Sequence, residues 1–319
     1  MKKIPVIAVV GTTACGKTEL GIEICKRKNA EIISADSMQI YKYLDVGTAK
    51  PSKEQLSVVK HHMIDIAEPT ENYSVAKYCS MAHKAIEDVY QRGKLPVVVG
   101  GTGLYVDSLL GNIAFADAKI DLDLRENLYK RAKQEGLEKL IDEIEKKDFE
   151  YAKKLKEQAS TKRVVRALEI MITTKKTVSE CLKESKTQES IYDTVFIGLT
   201  YKDRKLLYDR INKRVDKMVD SGLCREAMYV MSLEDDKTAK GAIGYKEMFA
   251  YLKGEDTLEN CKENLKKASR RYAKRQLTWF KRNKSINWIF VDEYLKNEQI
   301  DFKTMYEDVF RLVKDVDVK

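Results

Sequence analysis

Apolar residues enter the chain as a short β-branched run, Ile4 to Val10, which stops at a glycine and gives way to helically spaced apolar positions in ELGIEICKRK. That order predicts strand, loop and helix, because a buried strand needs only a few successive apolar residues whereas a helix repeats them every three or four. Glu31 to Ala35 (EIISA) reads as a second buried strand. Leu95 to Val99 (LPVVV), ahead of Gly100 and Gly101, reads as a third, with a helical stretch from Ser74 to Gln91 between them. Strands alternating with helices imply βαβ units and a parallel sheet. From about Gly111 to Glu189 the strand runs stop, and charged, helix-favouring sequence such as LRENLYKRAKQEGLEKLIDEIEKK replaces them. Strand character returns at Ile191 to Leu199 (IYDTVFIGL) and at Ile286 to Val291 (INWIFV), with an amphipathic helix from Arg204 to Ser221. The expectation is an α/β fold whose core is discontinuous: residues 1–111 and 190–319 form a parallel sheet flanked by helices, and 112–189 form an inserted all-helical domain.

Composition narrows the class. Hydrophobic residues make up 43% of the 319, enough for a packed core and against a disordered chain. No apolar run reaches the roughly 18 residues of a membrane span, so a cytoplasmic protein away from the membrane is expected. The six cysteines are scattered without a C-x-x-C pair, and two of the three histidines, His61 and His62, are adjacent, so their side chains diverge in a strand. Neither spacing suggests a zinc site or a disulfide framework. Charge matters once it is located: Lys262 to Lys284 holds ten Lys or Arg against one acid, Glu263, so the whole formal excess of +9 falls there. One-sign clustering of this kind points to a polyanionic partner, with counterion release driving association.

The strongest chemical signal is Gly11-Thr12-Thr13-Ala14-Cys15-Gly16-Lys17-Thr18, a G-x-x-x-x-G-K-[ST] loop between a predicted strand and a predicted helix. Its glycines let backbone N–H groups curl around phosphate oxygens, Lys17 neutralises a terminal phosphate, and Thr18 is the expected Mg²⁺ ligand. The fold class therefore sharpens to a P-loop NTPase-like sheet. Such loops mark nucleotide-binding and commonly ATP-binding proteins, yet they establish phosphate binding rather than ATP use. No separate apolar strand ending in Asp or Glu is evident as a second ATPase element. The acid that does end a strand is Asp36, where crevices of open α/β sheets form; from position alone it reads as a turn or N-cap aspartate as readily as a functional group. Gly100-Gly101-Thr102-Gly103 allows a close backbone approach to a ligand or simply a tight turn. Arg210 and Arg214, four apart on one helix, suit pyrophosphate oxygens, though arginines on an ordinary surface helix look the same. Across the basic segment from Leu265 to the end of SRRYAKRQLTWFKR, Leu265, Ala268, Tyr272 and Trp279 can pack inward while Lys267, Arg271, Lys274, Thr278 and Lys281 face out.

Taken together, GTTACGKT, SADSMQIYKYLDVGTAKP, HHMIDI with ENYSVAKY, VVVGGTGLY, TKRVVRALEI, YDRINKRVDKM, GAIGYKEM with YLKG, and RRYAKRQLTWFKR resemble the bacterial tRNA dimethylallyltransferases, in order along nearly the whole chain. The resemblance implies transfer of a dimethylallyl group from dimethylallyl diphosphate to N6 of adenosine 37 in tRNAs reading codons that start with U. It implies that Gly11 to Thr18 cradle the donor diphosphate, with Mg²⁺ at Thr18, and that Asp36 is the base for the N6 proton. Thr102 would stand where N6 meets the donor, and Lys17 with Arg214 would offset charge on the leaving diphosphate. Asp36, Ser37, Met38, Gln39 and Thr102 would hold the adenosine, with Arg163, Arg166, Lys274, Arg275, Gln276 and Lys281 gripping the anticodon stem-loop. One tRNA per monomer is expected. The family usually has Pro and Ser where this chain has Thr12 and Cys15. A small-molecule kinase would share the first hundred residues' architecture but leaves the cationic segment unexplained. A cytokinin-type adenylate prenyltransferase needs neither RVVR nor that segment, and a GTPase-like switch lacks its N-K-x-D.

Overall fold

The fold starts as the pattern predicts. In the computed structural model, which describes residues 3–111, 121–157, 160–185, 189–234, 238–296 and 299–318, β1 (Ile4–Gly11) leads through the glycine loop into α1 (Lys17–Lys28) and returns as β2 (Ala30–Ser34). There follow α2 (Lys53–Val58), the two-residue β3 (His61–His62), α3 (Val75–Gln91), β4 (Leu95–Gly100) and α4 (Gly103–Leu110). Five helices come next: α5 (Leu122–Glu135), α6 (Leu137–Glu145), α7 (Phe149–Glu157), α8 (Thr161–Thr174) and α9 (Val178–Ser185). The chain then re-enters the sheet as β5 (Tyr192–Thr200), continues through α10 (Arg204–Asp220), α11 (Leu223–Ser232), α12 (Phe249–Leu252) and α13 (Leu258–Phe280), and adds β6 (Ile286–Phe290). A 3₁₀ turn (Val291–Tyr294), a small hairpin of β7 (Leu295–Lys296) and β8 (Gln299–Ile300), and α14 (Phe302–Val313) complete it.

The main sheet has six strands in the order β3-β2-β4-β1-β5-β6, every pair parallel. β1 lies at its centre, with Val9 opposite Val99 on one side and Ile197 on the other. Strands buried on both faces carry no polar alternation, and the fully buried β2 and β4 conform. Ile7, Val9, Leu20, Ile24, Ile32, Val97 and Leu199 make the core between this sheet and α1. In this order the loops after β1, β2 and β4, adjacent strands, open on one edge, where the chemistry-bearing motifs gather.

Two compact units result, Met1–Leu110 with Ile191–Lys319, and Gly111–Ser190. The second has its own core of Leu128, Leu140, Ile144, Leu155, Val164 and Leu168. Within it Glu169 is fully buried and accepts from Arg125 and, at 2.8 Å, from Arg166. A buried carboxylate survives only with such partners. Near the C-terminus α14 buries Met305, Val309 and Val313.

Candidate active site

The loop after β1 takes its shape from positive φ angles. Gly11 lies at φ 134 and Gly16 at φ 89, and Gly16 is the N-cap of α1 without any side-chain cap. A β-carbon on Gly11 would stand 2.0 Å from the Leu199 carbonyl oxygen, so only glycine lets β1 pass β5 here. Two N–H groups of the loop are committed to the scaffold: Thr12 donates to Leu199 O at 3.2 Å and Thr13 to Gln276 Oε1 at 2.8 Å. Among the described residues no partner engages those of Ala14 to Thr18, which leaves a helix N-terminus open to an anion. Cys15 is buried, with Sγ 2.7 Å from Thr12 O, so the two positions that depart from the family pattern turn inward and the loop works through its backbone. Lys17 Nζ rests on Thr12 O at 2.6 Å, while the Thr18 hydroxyl bonds no described residue. Thr18 and Glu19 both line the cavity above the loop. Mg²⁺ takes one or two protein oxygens and completes its shell with phosphate and water, and this pair of side chains fits that demand.

Asp36 follows β2. Its Oδ1 accepts from Met38 N at 2.9 Å and Gln39 N at 3.4 Å, which is the turn geometry position alone suggested. Oδ2 bonds no described residue. From the adjoining turn after β4, Thr102 Oγ1 accepts from Ser37 N at 3.1 Å, and Thr102 N donates to Ala35 O. Gln39 reaches back through Nε2 to Thr48 O and Ala49 O, both at 3.3 Å. The segment 45–47 is itself held by one carboxylate: Glu226 accepts from the N–H groups of Asp45, Val46 and Gly47 at 2.8 Å each, and from Tyr245 OH at 2.7 Å.

The helix α10 lays Arg210, Lys213, Arg214 and Lys217 along the wall facing the loop, and Arg210 Nε donates to Ala14 O at 3.2 Å. This stripe follows the helical period, so Lys213 and Lys217 were accessible to the same argument that selected the two arginines. Burial pushes the Arg214 guanidinium below its ordinary pKa, and the Asp36 carboxylate is the largest charge opposing that shift. Burial, then the same carboxylate, pushes the Tyr272 phenol up to about 12. A cavity of about 480 Å³ spans the P-loop, Asp36 and this stripe. A second, of about 380 Å³, is bounded by Met38, Ile211, Val215, Met218, Ile243 and Leu265. Thr13, Asp36, Thr48, Arg214 and Tyr272 line both. A cationic chamber and a largely apolar one thus share a wall that contains an aspartate with a free oxygen.

The site residues expected from sequence divide cleanly. Thr13 to Thr18, Asp36, Ser37, Met38, Gln39 and Arg214 line these chambers, whereas Gly11 and Thr12 are buried beneath the loop and Thr102 lines neither chamber, standing beside them through its hydrogen bond to Ser37 N. Lys274 lies exposed on α13 and Lys281 exposed at its C-cap, and Arg275, also exposed, stacks over Tyr272 at 5.7 Å while lining the second chamber. Arg163 and Arg166 stand on α8 in the other unit, Arg166 being paired with Glu169. Gln276 differs from the expectation that it contacts RNA: the residue is 5% exposed, and both ends of its amide are engaged inside the protein. Tyr272 packs inward, as the helical spacing expects, and there lines both chambers; Glu226 carries no signal in the sequence, because its three backbone partners are remote from it along the chain.

A family model described as IPP transferase matches residues 39–283. A tRNA dimethylallyltransferase of Acetivibrio thermocellus is 46% identical over 297 residues, covering 92% of this chain and 94% of that one. That of Bacillus subtilis is 46% identical over 304 residues, covering 93% and 96%. Among solved structures, the full-length tRNA isopentenylpyrophosphate transferase of Bacillus halodurans superposes with a TM-score of 0.71 at 40% identity, over 98% of this chain and 96% of that chain. A eukaryotic dimethylallyltransferase acting on tRNA superposes with a TM-score of 0.83 at 27% identity, over 99% and 81%.

Proposed function

The chain belongs to the IPP transferase family, and from that premise we propose that it transfers a dimethylallyl group from dimethylallyl diphosphate to N6 of adenosine 37 in tRNAs reading codons that start with U. The carrying observation is the shared wall: Asp36, with one carboxylate oxygen free, borders both the cationic chamber and the apolar one. The diphosphate lies on the uncommitted N–H groups of Ala14 to Thr18, with Lys17, Arg210 and Arg214 around it. The adenine enters through Ser37, Met38, Gln39 and Thr102. N6 attacks C1 of the donor, the C1–O bond breaks, and its electrons leave on diphosphate, whose growing charge Arg214 and Lys17 offset. Asp36 Oδ2 takes the proton that N6 sheds. Mg²⁺, with Thr18 as its protein ligand, would neutralise further charge on the diphosphate. An unpaired anticodon-loop nucleotide reaches this depth at low unstacking cost. Lys274, Arg275 and Lys281, together with Arg163 and Arg166, hold the RNA backbone.

The test is transfer of radiolabel from dimethylallyl diphosphate to unmodified tRNA carrying adenosines 36 and 37, beside AMP and beside Asp36→Ala. Label on tRNA that falls about 10²- to 10⁴-fold in the variant supports both acceptor and base. Label on AMP alone would move the reading to a free-nucleotide prenyltransferase, and ATP turnover without label would move it to a kinase.

A further inference from the structure

We propose that Gln276 is a positioning residue of the donor site, through which the cationic helix α13 sets the conformation of the P-loop. The inference rests on the donor-site reading above but assigns Gln276 to the diphosphate side rather than to RNA. Its neighbours Lys274 and Arg275 are exposed, whereas Gln276 falls on the opposite face of α13 and is buried. Oε1 accepts from Thr13 N at 2.8 Å, and Nε2 donates to Gly101 O at 2.9 Å. One amide therefore bridges the loop after β1 and the turn after β4, the two segments that carry Lys17 and Thr102. The fit is tight: a β-carbon at Gly101 would come within 2.2 Å of Gln276 Nε2.

The chemistry selects glutamine. Thr13 presents a donor and Gly101 an acceptor, so the bridging group needs one of each at the end of a three-carbon reach. Glutamate keeps the acceptor and sets a second anionic oxygen against Gly101 O; methionine keeps the shape and supplies neither. Because Thr13 N–H is committed to Gln276, that amide is turned away from phosphate, and the cradle begins one residue later, at Ala14. Losing the bridge frees the loop to sample other shapes before a diphosphate binds, which weakens binding without removing any group that touches the ligand.

Full-length Gln276→Met and Gln276→Glu test this, alongside Lys274→Ala. Binding of inorganic pyrophosphate with Mg²⁺ is measured by calorimetry, and tRNA binding without donor by filter retention, so neither readout requires turnover. Pyrophosphate affinity should drop about 10-fold in Gln276→Met, the loss of two neutral hydrogen bonds, with tRNA affinity unchanged. Lys274→Ala should show the reverse, and the KM for donor should rise in the Gln276 variants while that for tRNA does not. Should Gln276→Met fail to fold, Gln276→Glu, which keeps the size and one acceptor, carries the same expectation. Weakened tRNA binding with unchanged pyrophosphate affinity would overturn the proposal and return Gln276 to the RNA contacts. Unchanged binding of both would show that the P-loop holds its shape unaided. A wild-type protein that binds pyrophosphate but transfers no prenyl group would count against the proposed reaction, not against this bridge.

Discussion

Removing the carboxylate of Glu226 should collapse a wall that both chambers share. In Glu226→Ala the N–H groups of Asp45, Val46 and Gly47 and the hydroxyl of Tyr245 lose their common acceptor. Asp45 is exposed, so water replaces its partner; Val46 and Gly47 are half-buried, and Tyr245 is fully buried. A hydrogen bond to a charged group contributes about 1.5–3 kcal/mol, so one full bond for Tyr245 and half-value for the two half-buried N–H groups give about 3–6 kcal/mol. For a chain of this size the unfolding midpoint should fall on the order of 10 °C if the loop melts with the core. Should the loop open alone, Thr48 O and Ala49 O release Gln39, and transfer activity drops while the melting point holds. Scanning fluorimetry beside steady-state transfer kinetics separates the two cases, and Glu226→Gln, which keeps a carbonyl acceptor, should recover part of the loss. A Glu226→Ala protein with a midpoint within about 1 °C of wild type and unaltered kinetics would refute the reasoning.

Other perturbations follow from single contacts. Gly11→Ala places a β-carbon 2.0 Å from Leu199 O at φ 134; overpacking and backbone strain together should cost more than about 3 kcal/mol, read as a lowered urea midpoint. Glu31, buried at the start of β2, is held well below the usual carboxylate range by Arg92, then by His62 and Lys94, against its own desolvation. A depressed carboxyl stabilises the fold above its unfolded pKa of about 4.3 and loses that contribution as pH falls below it. Glu31→Gln should therefore be less stable than wild type at pH 7, with the gap narrowing steadily as pH falls below about 5; a gap constant between about pH 5 and pH 3 would show that the ion pairs contribute nothing net.

The elements that the pattern announced most plainly were the long apolar ones. β1, β2, β4, β5 and β6 each lie within a residue or two of the runs that predicted them: a central strand of a parallel sheet is apolar along most of its length, and β5 and β6, exposed at Asp193 and Asn287, still carry apolar runs long enough to read. The glycine loop was legible for a similar reason: its φ angles and its place between strand and helix admit few sequences. By contrast α14 announces itself only through Met305, Val309 and Val313, three buried positions at helical spacing among polar neighbours. Asp36 shows where reading stops. As a residue after a strand it was a turn aspartate or a base, and the folded chain lets Oδ1 close the turn while Oδ2 is left over.

The sequence by itself determined the α/β class, the phosphate-binding loop, the cationic segment and the family, since these rest on local conformational demands and on contiguous motifs. Tertiary structure alone decided what the inward face of α13 meets, so that Gln276 grips the P-loop and the turn after β4. It also decided that Glu226 holds a loop some 180 residues away in the chain, Gly47 N being separated from it by 179 positions. A hydrogen bond between distant segments costs nothing in local propensity and leaves no periodic trace; it exists only once the sheet has brought its loop ends together.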